Sequence, residues 1–194
     1  MNNVISILGA KLRRYRAAED GTATLSFVIA VPIFMFIWLM TIESGIVNLR
    51  KFMVEHAVDR AVRDVRVGNL IDPDADDLRE RICDITQVIP NCMNDLRVEM
   101  VRRDVRNWVP VNPQVQCVNR EDPDDQDEET FDQLGNNQLM YLRVCARVNP
   151  FMPSTGLGLR LVEASEGDAA AAGSYAIISS AAFVVEPFRA EEDG

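Results

Sequence analysis

TATLSFVIAVPIFMFIWLMTI, residues 22–42, carries no charged side chain and decides the fold. A run of about 20 such residues is long enough to cross a bilayer as one helix. A helix is the only element that can do so alone, because lipid offers no partner to free backbone N–H and C=O groups. Pro32 lies inside the run. Proline is costly within a soluble helix but is tolerated in lipid, often with a kink. Just upstream stand Lys11, Arg13, Arg14 and Arg16 against Glu19 and Asp20. The chain has a formal charge of −10, so with +2 on residues 1–21 the remainder carries −12. Bases beside a membrane helix stay cytoplasmic, which predicts residues 1–21 inside and the acidic part outside. A cleavable secretory signal fits less well. Its apolar core is shorter, and Trp38, Met40, Ile42 and Glu43 stand where small residues belong.

The helical pattern does not stop at Ile42. Val54, Val58, Ala61, Val62 and Val65 recur at three- and four-residue spacing and keep one face apolar. Lys51 with Glu55, and Asp59 with Arg63, are four apart on the other side and suited to pair. Gly45 is the one weak spot. We read a single helix from about Ala23 to Val67, ended by Gly68, Asn69 and Asp72-Pro73. About 150 residues follow the apolar run, enough for one small domain with its own core.

That domain reads as α+β. A short helix with an acidic first turn is expected from Asp74 or Ala75 to Arg81, then a loop from Cys83 to Cys92. Leu96, Val98 and Met100 alternate with Arg97 and Glu99, the signature of a strand. Met140, Leu142, Val144, Ala146 and Val148 alternate with Tyr141, Arg143, Cys145 and Arg147, a second strand stopped by Pro150 and Pro153. Tyr175 to Val185 is the third, and Gly156 to Leu161 a short helix. The expected fold is a long N-terminal helix, transmembrane then amphipathic, packed on a small antiparallel sheet of three or four strands. The Val54–Val65 stripe covers the sheet. The divisions are 1–21 basic leader, 22–42 transmembrane helix, 43–68 amphipathic stem and 69–194 outer domain.

Four cysteines, Cys83, Cys92, Cys117 and Cys145, all lie beyond the apolar run. An even number on the oxidising side of a membrane reads as two disulfides. Cys83–Cys92 and Cys117–Cys145 close shorter loops than the other pairings. Zinc is the rival, but there is no C-x-x-C, and His56 is the only histidine. Catalytic pairing needs a base within reach of a nucleophile. None of the common hydrolase, zinc-protease or phosphate-loop motifs occurs, so the chain reads as non-enzymatic, with no cofactor. The acids from Glu121 to Glu129 could ligate calcium through oxygen, yet they lack the alternating Asp spacing with Gly. A charge run of this kind is usually a solvated loop, and that is the preferred reading. Nucleic acid is disfavoured by the acidic balance.

The apolar segment holds more than an anchor requires. Small residues Gly21, Thr22, Ala23 and Thr24 open it and permit close helix approach. Glu43 stands at its outer end, where a charge could reach headgroups or a partner helix. Residues 19–32, Glu-Asp-Gly-Thr-Ala-Thr-Leu-Ser-Phe-Val-Ile-Ala-Val-Pro, and then Ile42-Glu43-Ser44-Gly45, resemble the N-terminus of TadE-like proteins. These are minor pilins or pseudopilins of the tight-adherence (Flp-type) pilus system. The resemblance covers about residues 13–66, and the closing Glu186-Pro187-Phe188 is similar to TadE-like chain ends.

The resemblance implies a pilin-like fold in the bacterial inner membrane, with the N-terminus cytoplasmic and the outer domain periplasmic or extracellular. It implies prepilin peptidase cleavage between Gly21 and Thr22. It also implies packing through Pro32, Glu43 and Gly45 with other pilin subunits or assembly machinery. Family members carry Glu before the Phe that matches Phe27, and this chain has Ser26 there. Ser cannot neutralise a neighbour's new amine, which points to a minor, tip or priming subunit, or an uncut accessory. A single-pass, membrane-anchored envelope binding module unrelated to pili is the alternative.

Overall fold

The computed structural model describes residues 22–113, 115–120, 130–135, 137–153, 155–165 and 173–185. The chain divides into two compact units between Ile42 and Glu43. Helix α1 (Thr22–Arg66) supplies all of the described part of the first unit and opens the second. It is unbroken through Pro32. In the first unit the large apolar side chains are exposed, among them Leu25, Phe27, Ile33, Phe34 and Trp38. Among the described residues of this unit, none covers them.

In the second unit, Val54, Ala57, Val58, Ala61, Val62 and Val65 of α1 are buried, as the three- and four-residue spacing predicts. The helix ends at Arg66. Gly68 takes the left-handed backbone (φ 78°) that glycine adopts without steric cost. Asn69 N–H then bonds back to Asp64 C=O at 2.9 Å. Helix α2 (Ala75–Ile85) starts on a capping box, in which Asp74 and Asp77 each accept the other's backbone N–H. It runs four residues past the Arg81 expected from sequence. Cys83 therefore sits on a helix, and Leu78 and Ile82 are carried into the core. A one-turn helix α3 (Cys92–Asp95) follows, preceded by Asn91 at φ 52°.

Three strands complete the unit: β1 (Leu96–Arg103), β2 (Leu139–Val148) and β3 (Tyr175–Val184), with helix α4 (Gly156–Ser165) between the last two. The sheet is antiparallel in the order β1-β2-β3. Its register sets Val98 against Val144, Met100 against Leu142 and Met140 against Phe183. These residues share one core with the α1 stripe, Leu78 and Ile82. Each buried aliphatic side chain contributes about 1.5–3 kcal/mol. The fold is thus α+β, a long N-terminal helix with a small antiparallel sheet, as expected.

The opposite sheet face is the surprise. Alternation of apolar with Arg and Tyr along β2 normally marks a face open to water. Instead Arg97, Arg143, Cys145 and Arg147 on that face are buried. The chain between β1 and β2 crosses it. Cys117 is bonded to Cys145, Arg143 Nη1 donates to Asn112 C=O at 2.6 Å, and Arg120 Nη2 donates to Arg147 C=O at 2.9 Å. Arg143 also meets Glu99 across the β1–β2 pair through Nε at 2.8 Å.

Candidate functional site

Residue 43 is where the uncharged run meets the domain. Glu43 lies on the same side of α1 as Val54 and Val58, and only 1% of its surface is exposed. Its Oε1 accepts Phe151 N–H at 2.9 Å and its Oε2 accepts Met152 N–H at 2.8 Å. Both oxygens are therefore engaged within the chain. The segment they hold follows β2, where Pro150 and Pro153 remove two backbone donors and leave the N–H groups of Phe151 and Met152 for the carboxylate. The sequence expectation for Glu43 is a headgroup or partner-helix contact; within the chain it acts as an internal clamp. A buried carboxylate is stable only with such partners.

The other residues singled out from sequence fall as follows. Gly21 lies outside the described residues. Thr22 is the first residue of α1. Ser26 is exposed, as is Phe27 at 67%. Pro32 is exposed within an intact helix. Gly45 is exposed too, and a Cβ placed on it would meet nothing within 4 Å, so no contact among the described residues requires glycine there. Residues 121–129, the acidic loop considered for calcium, and 186–188 lie outside the described residues. His56 is exposed and stacks on Phe52, with centroids 6.2 Å apart. No group of three or more His, Cys, Asp or Glu placed to hold a metal occurs among the described residues.

Both disulfides join the cysteines as the sequence suggested. Cys83–Cys92 ties α2 to α3, and Cys117–Cys145 ties the crossing segment to β2. A further link joins α2 to α1: Arg81 Nε donates to Asp64 Oδ2 at 2.8 Å. That hydrogen bond holds the Asp64 carboxyl below its ordinary range, assisted by Asn69 and by the charges of Arg81 and Arg60, and opposed by burial.

Within the first unit, Thr41 Oγ1 donates to Ile37 C=O at 2.9 Å, so that hydroxyl needs no outside acceptor. Phe34 and Trp38 rings meet at 6.4 Å, one turn apart. This part of α1 is long and apolar enough to be a candidate single membrane span. Sequence reasoning missed the partners of Glu43. Asn149-Pro150 reads only as a strand stop, and nothing local points from residue 151 back to residue 43. Compared with known protein families, with curated proteins and with solved structures, the chain matches none.

Proposed function

We propose that this chain is a membrane-anchored, non-enzymatic subunit of pilus assembly, of the TadE-like type. On this reading residues 22–42 sit in the inner membrane, the N-terminus is cytoplasmic, and the disulfide-linked domain stands outside. The observation that carries the reading is the two-part character of α1. Its first half exposes Leu25, Phe27, Ile33, Phe34 and Trp38, and its second half buries Val54, Val58 and Val65 in a domain core. A plain anchor needs only the first half. A helix that is lipid-soluble at one end and structural at the other lets a subunit leave the bilayer by exchanging lipid contacts for those of other pilin helices.

Ser26 in place of an acid supports a minor, tip or priming role, or that of an uncut accessory. The partners are other pilins, the assembly machinery and, for processing between Gly21 and Thr22, a prepilin peptidase. The test is deletion of the gene with counting of surface pili, joined to intact-mass measurement with and without the peptidase. Loss of pili supports the proposal, and restoration by the intact gene completes the support. Normal pili in the deletion strain overturn it. A mass unchanged by the peptidase removes the processing step alone.

A further inference from the structure

Three arginines from separate parts of the chain converge on one cavity of about 480 Å3 in the second unit: Arg50 of α1, Arg120 beyond Cys117, and Arg147 of β2. Among the described residues one carboxylate lines it with them, that of Asp95. The gathering is unexpected in a chain with 30 acids and 20 bases. Like charges repel, and the effect grows where water is partly excluded.

The guanidiniums are held in place rather than loosely gathered. Asn149 spaces two of them: its C=O accepts Arg50 Nη1 at 2.7 Å and its Oδ1 accepts Arg120 Nη1 at 2.6 Å. Arg120 is fully engaged, with Nε on Asp95 Oδ1 at 2.7 Å and Nη2 on Arg147 C=O at 2.9 Å. Asp95 thus answers Arg120. Among the described residues Arg50 bonds neutral acceptors alone, Asn149 C=O and the Tyr175 hydroxyl at 3.3 Å, both through Nη1. Its Nε and Nη2 make no hydrogen bond among the described residues. Arg147, 2% exposed, lines the same cavity.

We propose that this cavity is an oxyanion site for a phosphate group, with Arg50 as its donor. The planar fork of arginine presents paired N–H groups that match phosphate oxygens. The cavity is of the size that small-ligand sites have. Two sources share this chemistry, free phosphate compounds and the headgroups of anionic lipids. The second is pertinent because Arg50 stands eight residues after the apolar run on the same helix. The site itself does not depend on the pilus proposal.

The experiment uses the full-length protein in maltoside micelles, free of phosphate, follows the Nε–H NMR signal of Arg50 in the parent, and measures affinity in parent and variants by isothermal titration calorimetry. Inorganic phosphate is titrated first, then short-chain phosphatidylglycerol in a separate sample. A saturable shift with inorganic phosphate assigns a soluble ligand. A shift with the lipid alone assigns a headgroup, and either supports the site. Arg50→Gln weakens binding about tenfold or more, the worth of a hydrogen bond to a charged group. Arg50→Lys keeps the charge but loses the fork and falls between. Arg63→Gln, an exposed position on the same helix, binds as the parent does. The proposal is overturned if neither probe moves the Arg50 signal, or if Arg63→Gln weakens binding as much as Arg50→Gln.

Discussion

Replacing Glu43 tests its clamp on the segment that follows β2. Glu43→Ala removes the acceptors of two N–H groups, at 2.9 and 2.8 Å, and leaves those donors facing an emptied, largely buried space. Each orphaned donor costs about 1–3 kcal/mol. Phe151 is itself more than half exposed, so water can reach part of the site, and the lower part of the range applies to its N–H. The sum is about 3 kcal/mol. For a domain of this size that lowers Tm by about 6–12 °C. Glu43→Gln keeps one carbonyl oxygen but turns an NH2 group toward the second N–H, so it loses about half as much. The assay is thermal unfolding of the purified protein in detergent, with amide hydrogen exchange read at Phe151 and Met152. Exchange at those two amides accelerates in both variants, and more in Ala than in Gln. Unchanged exchange at both amides, with Tm equal to the parent, would refute the reasoning.

Further outcomes follow from other contacts. Non-reducing peptide mapping yields the pairs Cys83–Cys92 and Cys117–Cys145, and Cys117→Ser with Cys145→Ser lowers stability by about 2–4 kcal/mol in a denaturant titration. The depressed Asp64 carboxyl stabilises the fold above the unfolded-state value near pH 4 and loses that contribution as pH falls through its lower folded value. Asp64→Asn therefore unfolds at lower stability near neutrality but shows a shallower loss below about pH 4 in an acid titration. Ala57→Leu overfills a fully buried position on α1 and costs about 1–3 kcal/mol by the same titration, whereas exposed Gly45→Ala is tolerated or slightly stabilising.

The elements were legible where a period is clean. The α1 stripe from Val54 to Val65 and the alternation in β1 and β2 report their own burial, because helix and strand geometry project straight onto sequence spacing. The end of helix α2 is hidden in sequence because Cys83 and Asp84 look like loop residues, while Leu78 and Ile82, four apart, continue its buried side. Three features were not legible at all. The covered second face of the sheet depends on where the chain between β1 and β2 crosses, and no local pattern encodes that. The engagement of Glu43 depends on backbone N–H groups more than 100 residues away, which have no side-chain signature. At residue 43 the sequence reports only an acid beside an apolar run, and the same signal suits a headgroup contact and an internal bond. Arg50, Arg120 and Arg147 likewise meet only through the fold.

The account stands on residues 22–42 being embedded in a bilayer with the two ends of the chain on opposite sides. Alkaline extraction of whole membranes, followed by protease added to spheroplasts, tests this directly. The protein is expected to remain in the membrane pellet, with its disulfide-linked domain digested from outside and an N-terminal tag protected until the cells are lysed. Release into the soluble fraction, or equal protection of both ends, would contradict it.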